Sequence, residues 1–152
     1  MGSFYYYWQL FTMKPLEVSE LKAFIFALYQ LDSPLPSHIQ AQLQTINIPG
    51  DIEQLYAIAI SHPPLKAAYD QIYDNIDAIA QLRSKGVESL PQYKPDSTNT
   101  EIDNASREIE EQLVKFDRKV DQNKLAVIAQ QVFQALNPIK TAKEVINTIF
   151  SL

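Results

Sequence analysis

Pro63 and Pro64 make a joint in this chain, and the residues on either side of it narrow the fold more than any other feature. Proline has no backbone N–H, and its ring clashes with the preceding turn, so a helix running into Ser61-His62-Pro63-Pro64 stops there. The same residue suits the first turn of a new helix. Beyond the joint, Leu65, Tyr69, Ile72, Tyr73, Ile76, Ile79 and Leu82 recur at helical spacing. The 65-69-72-76-79 series alternates steps of four and three, the seam of a bundle or coiled coil. Arg83 and Lys85 complement the C-terminal dipole of such a helix, and Gly86 suits a left-handed stop. Before the joint, Pro49-Gly50 marks a turn, and Asp51 with Gln54 has the capping-box pattern of a helix start. Ile52, Leu55, Tyr56, Ala59 and Ile60 share one face of that helix, while Ala57 and Ile58 carry apolar surface to the other. A helix apolar nearly all round is expected to be buried on both sides.

The flanking segments extend the helical pattern. Pro15–Leu31 reads as a first core helix with Leu21, Phe24, Ile25, Leu28 and Tyr29 as its stripe and Glu17 and Glu20 near its positive end. Ser37 and Gln40 form a capping-box pattern opening a short helix that turns Ile39, Leu43 and Ile46 inward. Glu101–Asn137 reads as one long helix or a kinked pair: Ile109, Leu113, Phe116 and Val120 give way to a shifted seam of Leu125, Ile128, Val132 and Leu136, with Asp121-Gln122-Asn123 at the change of phase. Glu111 and Lys115 make a favourable i,i+4 pair. Asn137-Pro138 ends that segment, and Thr141 with Glu144 caps a last helix whose face is Val145, Ile146, Ile149 and Phe150. Between these halves, 87–100 is polar and proline-containing, a connecting loop in which Leu90 and Tyr93 are the residues able to pin it to the body.

The expected fold is therefore all-α: a multi-helix bundle of about five to seven helices, an N-terminal helical cluster joined to a long C-terminal helix or helical hairpin. The expected organisation is an aromatic N-terminal segment over 1–14, the cluster over 15–86, the loop over 87–100 and a helical arm over 101–152 packed with the cluster as one domain. At 152 residues and 46% hydrophobic content, such a domain can bury a real core.

Composition excludes several chemistries. There is no cysteine, so disulfides, thiolate metal sites and cysteine nucleophiles are absent; that usage fits a cytoplasmic protein. Only three glycines occur, and no phosphate-cradling, dinucleotide-binding, nucleophile-elbow or EF-hand pattern is present. His38 and His62 read as a cap neighbour and a joint residue, and neither has the Glu-x-x-His spacing of a di-iron bundle. Asn104-Ala105-Ser106 matches a glycosylation sequon by pattern alone. Residues 36–60 resemble helix-turn-helix in outline, but Ala23 to Leu65 contains no lysine or arginine, and the net charge is −5. A DNA reader needs cations on phosphates and base edges, so nucleic acid is not an expected partner. No apolar run approaches the ~20 residues that span a bilayer. No cofactor and no catalytic constellation is expected.

Three features point to a partner. Phe4, Tyr5, Tyr6, Tyr7, Trp8 and Phe11 crowd one uncharged segment that lacks the basic region of a signal peptide. These rings either pack on the core, stand ahead of a natural start at Met13, or anchor a partner or membrane surface, with Phe4, Tyr7, Trp8 and Phe11 as contacts. Asp70, Asp74 and Asp77 stand at i, i+4 and i+7 beside Tyr73, where like charges repel by a few tenths of a kcal/mol. The stripe is either a solvated face or a docking strip for a basic partner, including this chain's own 115–124 region with Lys115, Arg118 and Lys119. Finally, 87–111 holds seven acidic and two basic residues, whereas 112–152 holds six basic and three acidic ones. The function expected is that of a non-enzymatic protein–protein interaction module, an adaptor, regulator or small subunit, which pairs with another protein or with itself. The alternative is a bundle that holds an apolar ligand or pigment in a Tyr/Phe-lined interior.

Overall fold

From Ala23 to Leu31 the chain carries no charge, and every side chain from Ala23 to Leu28 is fully buried. A helical stretch with no polar side can only sit in the middle, and this one does. The computed structural model describes residues 13–84 and 100–152, with side chains placed for 13–81 and 107–152. The central helix α1 (Pro15–Gln30) packs against α3 (Leu55–Ile60), α4 (Pro63–Ser84), α6 (Gln122–Gln134) and α7 (Pro138–Phe150). Helix α2 (Ser37–Gln44) lies against α3 and α6, and α5 (Thr100–Lys119) against α4 and α7. One turn of 3-10 helix, Ile52–Gln54, precedes α3. The described residues thus form an all-α bundle of seven helices with no strand. None of these helices is long and apolar enough to cross a membrane.

Elementary signals place most boundaries. Lys14 N–H donates to the Glu17 carboxylate at 2.9 Å, and Pro15 occupies the first turn of α1. The proline joint ends α3 at Ile60 and opens α4 at Pro63. The seam of α4 is buried as its spacing requires, at Leu65, Tyr69, Ile72, Ile76 and Ile79. Among the described residues, Asn75 is the one buried polar side chain, and it donates to the Gln71 carbonyl one turn back at 2.8 Å. The C-terminal pattern resolves into two helices, because Asp121 accepts from the Lys124 N–H at 2.8 Å and caps α6. Helix α7 closes the bundle with Ile139, Ala142, Ile146 and Ile149. The seams of α4 and α5 meet within the one chain.

Several expectations fail, each for a local reason. Asp51 does not cap a helix; its carboxylate accepts from the Asn47 N–H at 2.9 Å and from Gln54 Nε2 at 3.3 Å, holding the turn before it. Helix α3 is buried on one side only, leaving Tyr56 45% and Ile60 50% exposed. Ser37 is already helical, and Gln40 instead donates to the Leu35 carbonyl at 2.9 Å. Asn137-Pro138 opens the last helix rather than ending the one before: Asn137 Oδ1 accepts from the Lys140 N–H at 3.2 Å, so Thr141 and Glu144 lie inside α7. Leu136, left in that junction, is 87% exposed. Lys115 turns from Glu111 to the ring of Phe150, 5.4 Å from its centroid. The Gly86 stop, the Leu90 and Tyr93 contacts and the N-terminal aromatic segment lie outside the described residues.

Two glutamines stitch loops to the frame. Gln130 donates to the Ile46 carbonyl at 3.0 Å and accepts from the Ile48 N–H at 2.9 Å, fixing the α2–α3 connection on α6. Gln122 donates to the Met13 carbonyl at 2.8 Å, and Met13 is itself buried.

Candidate functional site

Tyr69 and Tyr73 are one turn apart on α4, so their rings stack, 5.9 Å between centroids at an interplanar angle of 23°. Tyr56 on α3 reaches Tyr69 from across the proline joint, at 5.7 Å and 52°. The three rings form a continuous row with Tyr69 deepest. Behind the row, Phe24 of α1 meets Tyr69 edge-on at 6.5 Å, tying the row to the core.

Carboxylates surround these rings. Glu20 of α1, Glu53 of the 3-10 turn, and Asp70 and Asp74 of α4 line the same groove, which has a volume of ≈ 710 Å³. The cause lies partly in α1: its charged positions precede Ala23, and Glu20 therefore stands at the edge of the core where α3 and α4 converge. Burial pushes the Glu20 carboxyl up, and the nearby charges of Glu17 and Glu53 push it further the same way. Burial likewise raises the Tyr69 and Tyr73 phenols, Glu20 adding to both and Asp77 to Tyr73. One cation answers this cluster: Lys66 Nζ lies 2.7 Å from Asp70, and that hydrogen bond raises the lysine's pKa. Glu20, Glu53 and Asp74 have no ion-pair partner among the described residues.

The expected acidic stripe is thus divided. Asp70 and Asp74 line the groove with Tyr73, while Asp77 accepts from Gln81 Nε2 at 3.2 Å. Among the described residues, Lys115, Arg118 and Lys119 of α5 do not pair with the stripe. Lys115 lies over Phe150, Lys119 Nζ donates to the Ile149 carbonyl at 3.3 Å, and Arg118 is exposed. Phe4, Tyr7, Trp8 and Phe11 lie outside the described residues. Sequence reasoning did not single out Glu20, Glu53, Tyr56 or Tyr69 as site residues, because they come from four separate elements and the tyrosines stand at core-facing positions of their repeats. A signal was present in the lysine- and arginine-free stretch, which leaves Glu53 without a local counter-ion.

A second cavity of ≈ 470 Å³ opens where α1, α4, α5 and α7 meet. Its polar groups largely serve each other: the Tyr29 hydroxyl donates to Asn147 Oδ1 at 3.0 Å, and Lys143 lies 3.9 Å from Asp32. Gln112 Oε1 is buried there without a donor. Charge is better balanced in this cavity than in the tyrosine groove. Among the described residues no three His, Cys, Asp or Glu side chains gather as metal ligands would. Comparison with known proteins supplied no guide to these sites: no family model, curated protein or solved structure matches this chain.

Proposed function

We propose that this chain is a non-enzymatic cytoplasmic interaction module, an adaptor, regulator or small subunit of a larger assembly, that holds a basic segment of a partner protein in the groove between α1, α3 and α4. One observation carries the reading: three tyrosine rings are lined by four carboxylates, and one lysine of the chain answers them. Aromatic surface buries area at low entropic cost, and uncompensated carboxylates steer and orient a cation. Tyr56 is 45% exposed at the rim of the groove, so its ring is open to a partner. The competing reading, an apolar ligand inside the bundle, draws on the phenylalanines. Those rings cover each other instead, Phe24 on Phe133 at 5.4 Å and Phe26 on Phe116 at 5.1 Å, both edge-on, which favours the docking groove.

The test is selection of a random displayed-peptide library on the full chain, counter-screened with a Glu20→Gln, Glu53→Gln, Asp74→Asn triple variant. Enriched peptides should be basic, bind more weakly as salt rises, and lose binding to the triple variant. Absence of enrichment, or peptides held equally by the neutralised variant, would remove the groove as a docking surface.

A further inference from the structure

We infer that the cation received by the groove is the guanidinium of an arginine, laid flat on the exposed Tyr56 ring at the end of the row with its N–H edge toward the surrounding carboxylates. This rests on the docking reading above and adds the identity of the side chain. The spacing of the rings decides the pose. Neighbouring centroids are 5.7 and 5.9 Å apart. Holding a flat group between two ring faces takes about 7 Å, twice the ~3.5 Å contact distance. A ligand therefore rests on an outer ring of the row and does not enter between the rings.

That pose sorts the cations. A trimethylammonium is a ball that gains most when several ring faces enclose it. Here Tyr69 is 5% exposed, and adjoining rings leave a ledge instead of a cage. A lysine ammonium is a compact, strongly hydrated point charge that must shed water to approach a ring. A guanidinium is flat and weakly hydrated, and its five donors lie in one plane. It can rest a face on a tyrosine while its edge meets carboxylates on more than one side. The groove offers that combination: Glu20 comes from α1, Glu53 from the turn before α3, and Asp74 from α4. The chain's own lysine shows the contrast. Lys66 bonds one carboxylate, Asp70, at 2.7 Å and leaves the other three without a cation among the described residues.

The experiment is isothermal titration of the full chain, at one salt concentration, with three peptides of identical Gly-Ser backbone. One carries four arginines, one four lysines, one four trimethyllysines. The arginine peptide should bind at least about fivefold tighter than the lysine peptide, and trimethyllysine should do no better than lysine. Tyr56→Leu, at an exposed position, should bring the arginine-to-lysine ratio close to one while changing lysine binding little. Glu20→Gln should weaken the arginine peptide by about fivefold, the loss of one charge-assisted hydrogen bond. Equal affinity for arginine and lysine, an unchanged ratio in Tyr56→Leu, or tightest binding by trimethyllysine would overturn the arginine assignment and leave the docking groove standing. Binding by none of the three would overturn both.

Discussion

Two aromatic clusters border α1, and they treat charge in opposite ways. At one end Phe26 packs against Phe116 at 5.1 Å, Tyr29 at 6.1 Å and Phe150 at 6.5 Å, and Lys115 lies 5.4 Å over the Phe150 ring. At the other, Tyr56, Tyr69 and Tyr73 form a row lined by Glu20, Glu53, Asp70 and Asp74. A ring face is electron-rich and attracts a cation. The phenylalanine cluster meets that demand with a lysine of its own chain, whereas the tyrosine cluster is met by anions. The first arrangement is complete as folded. On the docking reading proposed above, the second becomes favourable when a cation arrives from outside, and the contrast is then between a structural cluster and a receptive one.

Breaking the complete cluster should produce the largest effect on stability. Phe26 is fully buried, and Phe26→Ala should lower the unfolding free energy by about 3–5 kcal/mol, because the transfer cost of the ring and the cavity add. Tyr56→Ala should cost less than about 1 kcal/mol, since the ring is 45% exposed. Urea unfolding with unchanged slope gives both values. Equal losses would mean that Tyr56 is a structural residue and the contrast false.

The ion pairs sharpen the same contrast at smaller magnitude. Lys22 of α1 and Asp117 of α5 lie 2.6 Å apart with side chains 12% and 25% exposed. Lys22→Ala removes this ion pair from a partly buried carboxylate and should cost about 1–3 kcal/mol. Lys66 and Asp70, at the groove, are 42% and 43% exposed. Lys66→Ala should leave the denaturation midpoint unchanged and strengthen binding of a basic peptide, because Asp70 then joins the free carboxylates. A fall in stability without a gain in binding would place the Lys66 pair with the structural set.

Legibility in the sequence followed the same division. The α4 seam was readable because one helix carries its own period, and Leu65, Tyr69, Ile72, Ile76 and Ile79 are all buried. The proline joint was readable because proline acts through its own covalent structure. Capping was less so: Ser37, Asp51 and Thr141 each have a cap-forming side chain, but where a helix starts depends on which backbone N–H is left unpaired. Asn137, directly before a proline, took the role assigned to Thr141. The groove was half visible. Asp70, Asp74 and Tyr73 share one helix and were found by spacing, whereas Glu20, Glu53 and Tyr56 join them only through packing of α1 and α3 on α4. Tyr56 and Tyr69 were hidden by their own chemistry, since a tyrosine at an apolar repeat position looks the same in sequence whether it ends in the core or on a ledge.

Glu20 offers the smallest and most diagnostic effect. Its carboxyl is raised above the ordinary 4.5 by burial, then by Glu17 and Glu53. The folded chain therefore holds that proton more tightly than the unfolded chain. Its contribution to stability is fully present below pH 4.5 and is lost as pH rises through the higher folded value, above which the ionised group opposes folding. Glutamine keeps the shape and polarity without the charge. Glu20→Gln should thus stabilise the chain at neutral pH by a few tenths of a kcal/mol after solvent screening, and the gain should vanish below pH 4.5, where the parent carboxyl is itself neutral. Thermal unfolding of the two proteins at pH 4 and pH 7 measures the difference. Paired with weaker capture of an arginine peptide, a more stable variant would mark Glu20 as a charge kept for binding at a cost in stability. A gain of equal size at both pH values would instead locate the effect in packing, and the like-charge strain that separates the tyrosine groove from the phenylalanine cluster would not exist.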